Sequence, residues 1–117
     1  MPITSSLRQE IAFLHAQVCQ ALADPKRILI LYALSEGPRR VTELAEALSL
    51  PQPAVSHHLK VLRERGLVVA SQEGTAIYYS LADDRVIQAL DLLRDVLRAQ
   101  LAQHAELVRQ FTEEEEK

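Results

Sequence analysis

The sequence predicts a mostly α-helical domain that carries one small β-hairpin. Three observations lead to this fold class. Apolar residues recur at helical spacing over most of the chain, and the pattern changes to alternation after Gly66. Prolines and glycines stand where helices are expected to begin and end. The length of 117 residues, 48% of them hydrophobic, suits a single domain with a modest core.

Composition limits the class of protein and its location. The longest apolar stretch, residues 28–34, is far shorter than the ~20 residues of a membrane span, and the chain does not begin with a signal-peptide core. We therefore expect a cytoplasmic protein. Cys19 is the only cysteine, which excludes an intrachain disulfide and a multi-cysteine metal site built within one chain.

The first two helices are predicted from apolar spacing and from capping residues. Over residues 5–22, apolar side chains recur at alternating four- and three-residue steps, which places them on one face. Asp24 is a favourable N-cap for a second helix that begins with Pro25, where the missing N–H group costs nothing. This helix is expected to end near Ser35, and its apolar residues on nearly all sides indicate a central position.

A helix-turn-helix is predicted over residues 43–65. Thr42 is expected to cap its first helix, Pro51 interrupts the chain between the two helices, and Gly66 is expected to end the second helix in a left-handed conformation. Two short helices joined by a tight turn are typical of this motif.

A hairpin and a long helix complete the chain. The hairpin is predicted over residues 67–81 with its turn at Glu73-Gly74. The last helix is predicted over residues 83–111, and residues 112–117 are expected to form a solvated acidic tail. A hairpin directly after a helix-turn-helix indicates a winged helix, whose second motif helix enters the major groove of DNA.

The first and last helices are predicted to form a homodimer interface. The last helix would extend about 37 Å, which is longer than a globule of this size can cover by itself. Both helices carry an apolar stripe. The predicted interface residues are Leu7, Ile11, Leu14, Val18, Leu90, Leu93, Leu97 and Leu101.

The second helix of the motif has one apolar side and one polar side. The side expected to face inward carries Val55, His58, Leu59 and Leu62. The outward side is short, polar and capable of hydrogen bonding, which suits contacts with base edges. A solvated helix face has the same pattern, but the neighbouring motif helix and hairpin favour DNA binding.

Four segments of the chain match motifs of a known family: Ala23-Asp24-Pro25-Lys26-Arg27-Ile28, Thr42-Glu43-Leu44-Ala45, Gln52-Pro53-Ala54-Val55-Ser56-His57-His58-Leu59-Lys60-Val61-Leu62-Arg63 and Tyr78-Tyr79-Ser80-Leu81. On these residues, and over about residues 12–98, the chain resembles the ArsR/SmtB family of bacterial transcriptional repressors. The resemblance implies a winged-helix homodimer that occupies a palindromic operator and leaves it when an inducer, often a metal ion, binds.

The resemblance also implies which residues contact DNA. Gln52, Ser56 and His57 match positions that read bases, and Arg39 and Arg40 lie where backbone phosphates are expected. Together with the outward side of the helix and the hairpin, the complete predicted set is Arg39, Arg40, Thr42, Gln52, Pro53, Ala54, Ser56, His57, Lys60, Gln72 and Thr75.

The metal sites of the family have no full counterpart in this chain. The two cysteines of its thiolate motif correspond to Arg40 and Thr42, which cannot act as soft ligands. Of the four positions of its zinc site, Asp83 matches, and the other three hold Arg85, Val96 and Ala99. We therefore expect no cofactor and no classical metal site. The hairpin turn also departs from the family, because Thr75-Ala76 follow Gly74 where Arg or Lys is usual.

An effector or redox site remains open. His15 and Cys19 lie four residues apart on the first helix and could combine with His104 of the last helix, although a packed cysteine and solvated histidines are the simpler interpretation. A Cys19–Cys19 disulfide across the dimer is a further alternative. An enzyme is not expected, because Ser56 and His57 diverge by about 100° on a helix and cannot form a nucleophile–base pair.

The net charge of −3 argues at first against nucleic acid. Residues 112–117, with four Glu and one Lys, account for all of it, whereas residues 26–66 hold seven basic and four acidic residues. DNA-binding repression is therefore the preferred function. The alternative is a winged-helix protein-interaction module with vestigial DNA binding.

Overall fold

The computed structural model describes the backbone of residues 2–116 and the side chains of residues 2–113. Its elements, in chain order, are α1 (Ser5–Leu14), a π-helical turn (His15–Cys19), α2 (Pro25–Leu34), α3 (Val41–Leu48), α4 (Gln52–Glu64), β1 (Val68–Glu73), β2 (Ala76–Leu81) and α5 (Arg85–Glu116). This order confirms the predicted winged helix. The chain divides into two compact units, Met1–Asp84 and Arg85–Lys117.

The core of the first unit lies where α2, α3 and α4 pack against one another. The hairpin closes this core, because β1 contacts α4 and β2 contacts both α2 and α3. The buried apolar side chains of these elements are Ile30, Leu31, Leu34, Leu44, Ala45, Val55, Leu59, Leu62 and Val68. The predicted inward side of the second motif helix is therefore confirmed, and α2 is central as expected.

The first helix differs from the prediction. The α-helix ends at Leu14 and continues as the π-helical turn His15–Cys19, and the chain then turns before α2. The predicted helix over residues 5–22 is therefore helical as far as Cys19, with a π-helical turn in its second half, and it ends three residues earlier than predicted. A π-helical turn forms i→i+5 hydrogen bonds in place of the i→i+4 bonds of an α-helix, and the apolar spacing of a sequence does not distinguish the two.

The N-terminus of α2 has the predicted cap. The Oδ1 atom of Asp24 accepts a hydrogen bond of 2.8 Å from the backbone N–H of Lys26, and Pro25 occupies the first helical position. That hydrogen bond is the main cause that lowers the pKa of Asp24 below its ordinary value, because it stabilises the ionised carboxylate.

Replacing Asp24 with alanine is expected to lower the free energy of unfolding at neutral pH by the contribution of one helix N-cap, because the hydrogen bond to the Lys26 N–H is removed. The lowered pKa of Asp24 means that this stabilisation is present above the ordinary pKa of an aspartate and is lost as the pH falls through the lowered value. Urea unfolding at several pH values measures both effects. Glu46→Ala, at an exposed position of α3, is the control and should change the stability by less than about 0.5 kcal/mol.

The start of α3 differs from the prediction for a physical reason. Glu43 Oε1 accepts a hydrogen bond of 3.0 Å from the backbone N–H of Arg40, so the helix begins at Val41 with Arg40 as its N-cap residue. Thr42 lies inside the first turn, and its predicted capping role is wrong. A glutamate that reaches back to the N-cap N–H performs this role instead.

The ends of α3 and α4 use left-handed residues. Ser49, with φ of 54°, ends α3 ahead of Pro51, and Gly66, with φ of 76°, ends α4 as predicted. The turn after α4 is closed by a 2.9 Å hydrogen bond from the Leu67 N–H to the Leu62 carbonyl. The connection between α3 and α4 is therefore short, as a helix-turn-helix requires.

The hairpin is shifted by one residue from its predicted register. Glu73 pairs with Ala76, so Gly74 and Thr75 form a two-residue turn and Thr75 does not belong to a strand. Gly74 has φ of 63°, which is the conformation that the first position of such a turn demands. The predicted turn at Glu73-Gly74 is wrong, because Glu73 pairs with Ala76 and the turn therefore falls on Gly74 and Thr75.

The second unit is the single helix α5. It begins at Arg85 and runs to Glu116, which is five residues beyond the predicted end at residue 111. Ion pairs one turn apart support this length, including Asp91 with Arg94 at 3.3 Å and Arg109 with Glu113 at 2.8 Å. The predicted frayed acidic tail is therefore helical through Glu116, and Lys117 lies outside the described residues. Over residues 2–116, no helix combines the length and the hydrophobicity needed to cross a membrane.

Candidate nucleic-acid interface

The outward side of α4 is the centre of the predicted DNA-binding set. Gln52, Pro53, Ser56, His57 and Lys60 are all exposed on this side. Four of these five side chains can donate a hydrogen bond to a base edge or a phosphate.

The start of α4 has one less accessible residue and an unusual N-cap. Ala54 is half-buried, so it is less accessible than predicted. Pro51 stands at the N-cap position, and α4 has no side-chain cap among the described residues. The side chain of Pro51 therefore does not cap the first turn of α4.

A groove joins the start of α3 to the hairpin. It has a volume of about 350 Å³ and brings together three residues of the predicted set, Arg40, Thr42 and Thr75. Its remaining lining residues are Val41, Ala76 and Ile77, which were not predicted to take part. No signal in the sequence pointed to them, because the groove exists only where two distant segments meet.

Backbone pairing holds the two walls of this groove together. The Arg39 N–H donates to the Tyr79 carbonyl at 3.0 Å, and the Tyr79 N–H donates to the Arg39 carbonyl at 2.8 Å. The segment that carries Arg39 and Arg40 is thus attached to the edge of β2. Gln72 contributes within the hairpin, where its side-chain amide donates to the Gly74 carbonyl at 3.2 Å.

Both predicted phosphate-binding arginines have a nearby carboxylate. Arg39 Nη2 lies 3.6 Å from Glu36 Oε2, and Arg40 Nε lies 3.2 Å from Glu43 Oε1. The hydrogen bonds from Arg40 lower the pKa of Glu43, so this carboxylate stays ionised at neutral pH. Exposed ion pairs of this kind contribute only about 0–1 kcal/mol, so exchanging the carboxylate for a DNA phosphate costs little.

The inward side of α4 carries a polar contact that the sequence did not indicate. His58 is buried, and its Nδ1 atom lies 3.4 Å from Arg27 Nη1 of α2. Burial is the main cause that lowers the pKa of His58 below its ordinary value; the nearby Asp24 carboxylate opposes this shift, and the Arg27 guanidinium adds to it. The inward position of His58 was predicted correctly, but its partner was not.

The candidate effector residues do not form a metal site in the structure. His15 and Cys19 are both exposed in the π-helical turn, and His104 is exposed on α5. Among the side chains of residues 2–113, no group of three His, Cys, Asp or Glu is placed to hold a metal ion. Within a single protomer, Cys19 is therefore exposed and is not packed as a small apolar residue.

The predicted dimer residues are mostly uncovered in the protomer. The exposed members of the set are Ile11, Leu14, Leu93, Leu97 and Leu101. Leu7 and Val18 are half-buried, and Leu90 is 7% exposed, so these three members of the set are less accessible than predicted. α5 also exposes apolar residues outside the predicted set, which are Leu92, Val96, Leu107, Val108 and Phe111. Exposed apolar surface of this extent is typical of an interaction site.

Comparison with known proteins identifies relatives for the region that carries the predicted DNA-binding residues. The sequence model of the arsR family of bacterial regulatory proteins matches residues 24–69, which include α2, α3 and α4. The HTH-type transcriptional regulator NmtR of Mycobacterium tuberculosis is 54% identical over 76 residues, which are 65% of this chain and 63% of NmtR. The alignment therefore spans less than two thirds of that relative. The HTH-type transcriptional regulator CmtR of Mycobacterium bovis is 45% identical over 84 residues, covering 72% of this chain and 71% of CmtR.

Solved structures show the same fold. One is the solution structure of a homodimeric winged helix-turn-helix DNA-binding domain from Mycobacterium bovis, described as a possible ArsR-family transcriptional regulator. It matches with a TM-score of 0.72 and 33% identity, covering 86% of this chain and 94% of that domain. The solution structure of apo-NmtR matches with a TM-score of 0.61 and 46% identity, covering 80% of this chain and 75% of that chain.

Proposed function

The chain belongs to the ArsR family of bacterial regulatory proteins, and from this premise we propose that it is a homodimeric repressor that binds a specific operator. The observation that carries the proposal is the exposed polar side of α4. This side stands clear of the core and presents Gln52, Ser56 and His57 together. A recognition helix in the major groove needs such a side.

Base reading and phosphate binding are assigned to different parts of this surface. Gln52, Ser56 and His57 read base edges from α4, since short polar side chains near the start of a recognition helix reach the groove floor. Arg39 and Arg40 contact the backbone from the segment ahead of α3, and Lys60 does so from α4. The contribution of the hairpin is small, because Gln72 and Thr75 are uncharged and Glu73 stands beside the turn.

Replacing Gln52 or His57 with alanine is expected to weaken binding to the operator by about 5–150-fold for each substitution, the scale of one base contact. Binding to unrelated DNA should change little, because it depends on phosphate contacts. Fluorescence titration with the protein's own promoter fragment and with a scrambled duplex of equal length measures both affinities.

Gln9→Ala is the matched control for this experiment. Gln9 is an exposed glutamine of α1, and its removal should leave both affinities unchanged. Equal losses on the two duplexes for Gln52→Ala and His57→Ala would show that these residues do not read bases.

The homodimer is proposed to form through the uncovered apolar residues of α1 and α5. The relative from Mycobacterium bovis is a homodimer in solution, which supports this assembly. A symmetric dimer presents two copies of α4 and therefore suits an operator with two half-sites.

Release by an inducer is the remaining part of the proposal. The chain does not carry the thiolate pair, and it has one of the four zinc-site positions expected from the family. The remaining candidates are His15, Cys19 and His104. Band shifts with metals, oxidants and sulfur species, on wild type and Cys19→Ser, test Cys19. If an added compound releases the wild type from DNA but does not release Cys19→Ser, the effector site includes Cys19. If it releases both proteins equally, Cys19 is not part of the effector site.

A further inference from the structure

The side chain of Arg27 connects α4 to the chain that precedes α2. Its Nε atom donates to the Ala21 carbonyl at 2.7 Å, and Nη2 donates to the Gln20 carbonyl at 3.2 Å. The third nitrogen, Nη1, lies 3.4 Å from His58 Nδ1 and 3.8 Å from Asp24 Oδ2. Each nitrogen of the guanidinium therefore has a partner, and the group is held in one place.

The chemistry of this contact determines the state of the histidine. A guanidinium group donates hydrogen bonds and cannot accept them, so His58 Nδ1 must be the acceptor. The ring is then neutral and carries its proton on Nε2. A protonated ring would place an N–H group and a positive charge against Arg27, and the contact would become repulsive.

The contact between Arg27 and His58 lies on the inward side of α4, and the proposed base-reading residues lie on its outward side. His58 follows His57 in α4 and is the buried polar residue among the described core side chains. Since α4 is a rigid helix, any rotation that moves His58 also moves Ser56 and His57 on the outward side.

We propose that Arg27 is a positioning residue for DNA recognition, which holds α4 at the rotation that presents Ser56 and His57 to the bases, and that it does so only while the His58 ring is neutral. This inference rests on the proposed function. It adds that operator binding senses the protonation of a buried group through Arg27.

The surroundings of His58 determine the direction of the pH effect. The charged and titratable groups that act on the ring are Asp24, Lys26 and Arg27 of α2 and the neighbouring His57. Burial and the cations lower the pKa of His58, so its proton binds below the ordinary range of about pH 6.5. Specific binding is therefore expected to be at its full strength at pH 7.5 and to decline only after the pH has fallen below the ordinary histidine value of about 6.5.

Arg27→Met tests the role of the guanidinium, since methionine keeps the apolar length of the side chain. The ratio of the affinities for the promoter fragment and a scrambled duplex is expected to fall about 10-fold at pH 7.5, the scale of one charge-assisted hydrogen bond. The ratio should then change little on acidification. NMR titration of the ring should show His58 binding its proton at a higher pH than in wild type.

A second variant separates positioning from simple loss of structure. His58→Asn places a side-chain oxygen near the position of Nδ1 without a titrating group, so it should keep the wild-type ratio and remove the acid decline. His57 is present in both proteins, so the difference between their pH profiles belongs to His58.

Arg65→Met is the matched control. Arg65 also joins the end of α4 to the chain before α2, in this case to the π-helical turn. It donates hydrogen bonds to the Ala16 carbonyl at 2.6 Å and to Gln17 Oε1 at 3.4 Å and does not contact His58. This variant should keep the wild-type ratio and pH profile. Thermal unfolding confirms that all variants are folded.

The proposal is overturned if Arg27→Met and Arg65→Met reduce the affinity ratio equally and both retain the wild-type pH profile. It is also overturned if the His58 titration is the same in Arg27→Met and wild type. Equal affinity of the wild type for the two duplexes would instead refute the proposed function. The NMR titration of His58 is measured without DNA, so it tests the contact between Arg27 and His58 separately from the proposed function.

Discussion

Raising the salt concentration from about 50 to about 200 mM is expected to weaken binding to promoter DNA by roughly 10³-fold. Arg39, Arg40 and Lys60 are the three proposed phosphate-binding cations of each protomer, and the proposed dimer doubles them. Each neutralised phosphate releases counterions, so the affinity falls steeply with the logarithm of the salt concentration. Titrations at four or more salt concentrations give the slope.

Substitutions assign this slope to individual residues. Arg39→Ala or Lys60→Ala should reduce its magnitude by about one for each phosphate that is no longer bound, or about two for each dimer. Arg98→Ala, at an exposed position of α5 paired with Asp95, is the control and should leave the slope unchanged. A wild-type slope near zero would contradict phosphate binding and would suit a protein-interaction module.

Replacing both Leu93 and Leu97 with glutamate is expected to convert the dimer to a monomer. Both leucines are more than half exposed in the protomer, so their replacement should leave the fold of each chain intact. A monomer engages one half-site at a time and does not gain from linked binding, so affinity for a palindromic operator should fall by about 10²–10⁴-fold. Sedimentation measures the mass, and the DNA titration measures the affinity.

The control for this prediction adds equal charge to the same helix away from the apolar stripe. Gln88→Glu combined with Ala99→Glu places two carboxylates at exposed positions of α5. This variant should remain a dimer and lose far less affinity. A Leu93→Glu, Leu97→Glu protein that still sediments as a dimer would show that α5 does not form the interface.

Several elements could be predicted because their signals are local. The start of α2 follows from Asp24 and Pro25, which satisfy or avoid the free N–H groups of a helix end without distant partners. The end of α4 follows from Gly66, whose left-handed conformation most residues avoid. The burial of Val55 and Leu59 and the outward position of Ser56 follow from helical periodicity alone.

The errors occur where two local signals compete. Thr42 and Glu43 can each satisfy a free N–H group at the start of α3, and the structure uses Glu43 with Arg40. In the hairpin, Gly74 is compatible with either turn position, and the pairing of Glu73 with Ala76 decides between them. Sequence patterns do not resolve alternatives that differ by one residue and a small energy.

The order of elements, the family resemblance and the outward side of α4 can all be predicted from the sequence, because periodicity and capping act between residues close in the chain. Tertiary structure decided the groove between Arg40 and Thr75 and the contact between Arg27 and His58. These features join residues that are far apart in the sequence. Their distances depend on how α2, α3, α4 and the hairpin pack, and no local pattern records that packing.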